Sequence, residues 1–364
     1  MTVSAGNSMS QWTMLNTTLH PNNTDQSGAR NDNDGVLIDD FAKKIFILVN
    51  HVIVDMCICI FGIVGNCLNI TVFLKQGLHK SVNLSLFAMS ISDLTGLSFQ
   101  VWHNFCLNPY LELANLPFDF LEIQMLTAGR PSILMVRVTG WITMYITAER
   151  CLSVVLPLKI REIITFKRTA INLLLMFGIN LAFYLPVTSS DYVTWKFYPG
   201  LNKTQLGLAF RGNKPAVEWL INTSHFYLSL FAFIFVIIFT AVLVISLRRK
   251  SKWRKGATSG TDQREARTSR ENKTIALVIM VAIVLIVCYA PGVCCAITEA
   301  LYPEFGIVAK QSNFYQVIWS FNFIFHSINA SINVVVYYKM SSKYRATMNE
   351  IVPCFKNRNK GDNN

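Results

Sequence analysis

Charge is scarce in this chain of 364 residues. Asp, Glu, Lys and Arg make up only 15% of it, where a soluble protein carries about 25%. Apolar residues make up 52% and gather into long blocks, which excludes an ordinary water-facing surface. Cysteine is absent between Cys151 and Cys288, so the segment from 188 to 223 can hold no disulfide. No apolar run follows Met1, and no cleavable signal peptide is expected. There is no phosphate-binding glycine loop, no Cys/His set at metal-ligand spacing and no nucleophile–base pair. Covalent chemistry is therefore not expected, and the chain reads as a non-enzyme.

What is present is a series of seven apolar blocks, at 45–74, 82–103, 125–156, 169–187, 224–247, 274–298 and 314–338. A helix needs ~20 residues to cross a hydrocarbon layer. The blocks predict an all-α membrane protein, a seven-transmembrane helix bundle spanning 45–340. Residues 1–44 form a polar tail, and 341–364 form a short amphipathic helix and a second tail. Basic residues fill alternate connections: Lys75 and Lys80, then Lys159, Arg161, Lys167 and Arg168, then the run from Arg248 to Arg270. The positive-inside bias predicts a multi-pass plasma-membrane protein with the N-terminus outside and the C-terminus in the cytosol. The net charge of +12 thus reflects topology and contact with the lipid bilayer, not nucleic acid. Asn16, Asn22, Asn202 and Asn222 begin glycosylation triplets on the predicted outer side. Cys354, past the last block, is a candidate for acylation.

Several polar residues interrupt the blocks, and an ionisable residue within a span is a functional candidate by default. Asp93 lies in the second block and Arg137 in the third. Glu149-Arg150-Cys151 closes the third block, with Pro157-Leu158 after it, and Glu271 precedes the sixth. Cys288-Tyr289-Ala290-Pro291 lies inside the sixth, where proline removes a backbone hydrogen bond and bends the helix. Asn333-Val-Val-Val-Tyr337 lies in the seventh.

Counted against the seven blocks, these motifs resemble those of rhodopsin-like (class A) G-protein-coupled receptors. The usual patterns there are Asp-Arg-Tyr, Cys-Trp-x-Pro and Asn-Pro-x-x-Tyr. The stretch Glu-Arg-Cys-Leu-Ser-Val-Val-Leu-Pro-Leu-Lys is similar to invertebrate neuropeptide receptors and to molluscan chemosensory-type receptors. The resemblance covers roughly residues 45 to 350. It implies a receptor that binds an extracellular peptide or small-molecule ligand and activates a heterotrimeric G protein through spans three, six and seven. The switch residues it implies are Glu149, Arg150, Glu271, Pro291, Asn333 and Tyr337. An Arg150–Glu271 pair would hold the resting state; the alternative pairs Arg150 with Glu149 alone. Asp93, Thr139, Asn329 and Asn333 match the positions that hold an allosteric sodium ion, the alternative being a hydrogen-bond network without an ion. No other cofactor is implied.

Departures from the family pattern are equally specific. Met125 stands where the resemblance puts a disulfide cysteine. The usual Trp of span four and Pro of span five are missing. Helical spacing aims Ser132, Val136 and Gly140 inward, and Ser132 replaces the acid that amine receptors use. Arg137 needs a partner, with a ligand carboxylate, Asp55 and Glu299 as candidates and a bond to a neighbouring helix as the alternative. Tyr289, Glu299, Trp319, Phe323 and His326 are the remaining ligand-site candidates. A transporter or channel is the rival class; it would show repeated halves or interrupted helices, and the sequence has no such repeat.

Overall fold

The computed structural model describes residues 35–352, apart from 109, 114–115, 157–159, 200–201, 213, 257–261 and 308. Eight principal helices carry the fold: α1 (Asp40–Gln76), α2 (Ser81–Cys106), α3 (Arg130–Val155), α4 (Phe166–Ala182), α5 (Lys214–Gly256), α6 (Asp262–Leu301), α7 (Ser312–Met340) and α8 (Ser342–Ile351). A π-helical stretch, Leu48–Asp55, lies inside α1, and another, Met125–Gly129, leads into α3. The helices close into a bundle. α1 packs on α2 and α7, α6 joins α7 to α5, and α3 touches α2, α4, α5 and α6.

The bundle buries polar residues alongside an apolar core and turns large apolar side chains outward. Asn66, Asn69, Ser85, Asp93, Thr139 and Asn333 are buried, while Phe61, Val64, Leu174, Leu175 and Val287 are exposed. α4 shows the logic most simply, burying Thr169 and Asn180 and turning Ile171, Leu174, Leu175 and Phe177 outward. Helices satisfy their own backbone hydrogen bonds, so they can present such faces to lipid without an open hydrogen-bonding edge. Four described helices, α1, α2, α5 and α6, are long and apolar enough to cross a membrane by length and composition. α4, with 17 residues, falls just short in length; Arg137 and the threonines dilute α3, and its asparagines dilute α7.

The cysteine-free segment expected as an outer loop is largely regular. β1 (Asp191–Tyr198) and β2 (Lys203–Phe210) form an antiparallel hairpin, with Asp191 opposite Phe210 and Tyr198 opposite Lys203. Asn202 sits exposed in the turn with φ 49°, a left-handed conformation that asparagine tolerates. Residues 116–122 clasp the second strand. Leu206 donates its N–H to the Pro117 carbonyl at 2.8 Å and accepts from Asp119 at 2.9 Å. The Glu122 carboxylate accepts from the Leu208 N–H at 2.6 Å and from Lys196 Nζ at 2.9 Å. A side chain at Gly207 would collide with Tyr198 Oη and Glu122. Burial, reinforced by Glu122 and Asp119, holds the Tyr198 phenol well above its usual range. Finally Arg130, the first residue of α3, pairs with Asp191, their side chains being 13% and 4% exposed. Cys106 is a free, buried thiol. The hairpin is therefore fastened to α3 by the Arg130–Asp191 pair, and to residues 117–122 by backbone hydrogen bonds and Glu122, with no disulfide among the described residues.

Other boundaries differ from expectation. α1 starts at Asp40, capped by the Asp39 carboxylate on the Ala42 N–H at 2.7 Å. α5 starts at Lys214, ten residues before the predicted block. Asn222 consequently lies in a helix, inside the apolar stretch Trp219–Arg249, and not in a loop. Near the hairpin end, Gln311 clamps the chain before α1: its amide accepts from the Leu37 N–H at 3.1 Å and donates to the Gly35 carbonyl at 2.6 Å. Asn16, Asn22, Cys354 and the side chain of Glu271 lie outside the described residues.

Replacing Asp191 with Asn removes the carboxylate from the buried pair with Arg130 and should cost about 3–5 kcal/mol. Lys196→Met, at a more exposed pair, should cost about 0–1 kcal/mol. Thermal unfolding of the purified full chain measures both; equal shifts would contradict this account of the hairpin.

Candidate functional site

Three helices converge around Tyr289, two residues before Pro291 in α6. Its hydroxyl donates to the Val136 carbonyl of α3 at 2.7 Å, and its ring meets His326 of α7 edge-on at 4.8 Å. Gly140 faces the same ring, and a Cβ there would lie in ordinary van der Waals contact with it at 3.7 Å. Val136, Tyr289 and His326 thus come together as anticipated. Arg137 is buried beside them and donates through Nη2 to the Asn180 carbonyl of α4 at 2.9 Å. Asn180 turns its own amide to the Met176 carbonyl at 2.7 Å. Neither Asp55 nor Glu299 is the partner of Arg137. Asp55 accepts from Asn104 at 2.7 Å and Gln100 at 3.0 Å, and Glu299 accepts from Tyr315 at 3.2 Å.

The remaining ligand-site candidates scatter. Ser132 spends its hydroxyl on the Gly129 carbonyl at 2.9 Å. Glu299 and Trp319 gather around Tyr315, whose ring lies 5.9 Å from Trp319. Phe323 packs on His103 and His51, with centroids 5.0 Å and 5.3 Å away, at the α1–α2 side. That neighbourhood is a buried polar cluster which sequence reasoning missed: His51 Nδ1 lies 3.0 Å from Asn104 Oδ1, and His103 Nδ1 lies 2.6 Å from Gln124 Oε1. His225 of α5 was also missed. Histidine within an apolar block was the available signal for all three.

Asp93 accepts from Thr139 Oγ1 at 2.7 Å and from Asn333 Nδ2 at 2.9 Å, tying α2 to α3 and α7. The Ser92 hydroxyl lies 3.1 Å from that of Thr139. Asn329 is buried nearby in sequence, but no hydrogen bond joins it to Asp93 among the described residues. One carboxylate with two hydroxyl oxygens is a hard-oxygen donor set of the kind that suits a sodium ion.

At the α8 end, Glu149 accepts from Arg150 Nη2 at 2.7 Å and from the hydroxyl of Ser81, the first residue of α2. Arg150 Nε is buried without a partner among the described residues. Tyr337 is buried between Phe73 and Tyr344, at 5.4 Å and 5.6 Å. The Tyr344 hydroxyl donates to Asn69 Oδ1 of α1 at 2.5 Å, which docks α8 onto the bundle.

The family model described as serpentine type 7TM GPCR chemoreceptor Srw matches residues 53–355. Human neuromedin-U receptor 2 is 21% identical over 314 residues, covering 83% of this chain and 71% of the relative. Human neuromedin-U receptor 1 is 25% identical over 327 residues, covering 81% and 71%. A probable G-protein-coupled receptor of Caenorhabditis elegans is 23% identical over 310 residues, covering 82% and 68%. A buried acid–arginine pair, a proline-bearing helix seated on α3 and a family match across most of the chain lead to one conclusion: this membrane protein belongs to the serpentine 7TM chemoreceptor Srw family and is a G-protein-coupled receptor, not an enzyme.

Proposed function

We propose that this receptor sits in the plasma membrane with seven spans, binds an extracellular neuropeptide and activates a heterotrimeric G protein. The convergence of Val136, Tyr289 and His326 carries the reading. A ligand that displaces Tyr289 from the Val136 carbonyl frees α6 from α3 next to its proline. The names of the neuromedin-U receptors favour a peptide, and the family's description favours chemical sensing as the second reading. On this view residues 1–44 and the hairpin are extracellular, with Asn202 an accessible acceptor for a glycan. α8, residues 341–364, an acylated Cys354 and the basic connections are cytosolic. Glu149, Arg150, Glu271, Pro291, Asn333 and Tyr337 form the switch, and an ion at Asp93 stabilises its resting state.

Challenging cells that express the full chain with a peptide library, with calcium and cyclic-nucleotide readouts, should yield a G-protein-dependent response. Solute flux that persists without G protein would favour a transporter instead. Transcripts in nerve tissue support the peptide reading, and transcripts in sensory epithelium support the chemosensory one.

Replacing Glu271 with Ala should raise ligand-independent signalling several-fold at matched surface expression. No rise would count against the Arg150–Glu271 lock and leave Glu149 as the sole acid on Arg150. For the ion, the purified receptor should unfold at a higher temperature in sodium chloride than in choline chloride of equal strength. Asp93→Asn should erase that difference; a difference that survives the substitution places the sodium effect elsewhere.

A further inference from the structure

We infer that Arg137, His225 and His326 form a subsite that binds a carboxylate group of the receptor's ligand. This deepens the proposed ligand-binding role and rests on it. Three helices bring the residues together. α3 and α5 run parallel, because Trp141 Nε1 donates to the Leu228 carbonyl at 3.1 Å and Cys151 Sγ donates to the Phe239 carbonyl at 3.1 Å. Stepping back one turn from the first of these contacts reaches Arg137 on α3 and the Ser224–His225 level on α5. His326 arrives from α7 against Tyr289, which itself holds the carbonyl of Val136, the residue before Arg137. His225 lies within electrostatic reach of both Arg137 and His326.

The subsite is a buried cation without a counter-ion. Arg137 is 5% exposed, and its hydrogen bond goes to a neutral carbonyl. Among the described residues no carboxylate pairs with it. Asp93, further along the bundle, is engaged by Thr139 and Asn333. Arg137 Nε, His225 Nδ1 and His326 Nδ1 are all buried with no hydrogen-bond partner among the described residues. A charge held away from water needs an opposite charge and hydrogen bonds to offset its desolvation. A carboxylate fits on both counts. It brings one negative charge, and its oxygens accept the Arg137 Nε–H and a ring N–H from either imidazole in the tautomer that protonates Nδ1. A neutral amide of the same shape brings no charge.

The test uses the full-length receptor in lipid nanodiscs, with thermal unfolding followed by tryptophan fluorescence. Butyrate and butyramide serve as probes at equal ionic strength. Butyrate should raise the midpoint by roughly 2 °C more than butyramide, because a ligand bound to the folded state stabilises it by mass action. Arg137→Gln should abolish that preference. Arg137→Lys, which keeps the charge but loses the planar fork, should retain part of it, so a folded comparison remains if the Gln variant misfolds. His225→Gln and His326→Gln should each shrink it. Absence of a butyrate preference in the unsubstituted receptor overturns the inference, as does an undiminished preference in Arg137→Gln. This readout needs no signalling. Its failure leaves the peptide-receptor reading standing, and a failed G-protein response leaves the carboxylate result standing.

Discussion

The Asp93 carboxylate is shared between three helices. It rises from α2, takes a hydroxyl from α3 and an amide from α7, and sits where lipid surrounds the bundle on every side. Such a group cannot be left unsatisfied, because no water competes for it and an unmade hydrogen bond costs its full desolvation. The helices must therefore meet at one height and one rotation. The same constraint repeats at Asn66, whose amide reaches the Ala330 carbonyl at 2.8 Å, and at Ser331, which donates to the Ile58 carbonyl at 3.1 Å. Apolar faces fill the volume; these few polar contacts fix the register. Gly62 belongs to that register, since a Cβ there would press on Ser331.

The neighbourhood of Tyr289 inherits its geometry from this frame. Tyr289 can reach the Val136 carbonyl because α3 and α7 are already positioned by Asp93, and His326 follows from the same placement two turns along α7. At the other end, Glu149 collects both Arg150 and Ser81, so the acid is committed to α2 as well as to the neighbouring arginine. A resting contact of this kind uses α2 as its anchor, and α6 is left to be held by whatever reaches it from α3.

Much of this was legible from residue order. Apolar blocks located the principal helices, and ionisable residues inside them marked Asp93 and Arg137 because such residues are costly in lipid. The hairpin was not legible. Its strands alternate only weakly, Trp195 and Phe197 facing outward, and its position is set by Glu122 and Arg130 from sixty or more residues away. Missing cysteines showed that a covalent tie was absent without showing what replaced it. Phe323 was misplaced for another reason: helical spacing gives the face of α7, but the π-helical stretch in α1 brings His51 to meet that ring. Arg137 stands out in the sequence as a charge inside an apolar block, yet its carbonyl partner on α4 has no signature in side-chain chemistry.

The two bonds between α3 and α5 act like rivets. Trp141 and Cys151 are ten residues apart on α3, about 15 Å of helix. Two fixings so separated stop one beam from turning against the other, so α3 and α5 behave as a single plate. α6 meets that plate through the Tyr289 hydrogen bond to α3 and through apolar packing of Ala282 and Leu285 around Val236. Apolar packing has no preferred direction of its own, so the Tyr289 bond is a directional contact within it. The bundle is thus a plate with a lever laid against it, and Tyr289 marks one point where the two are tied.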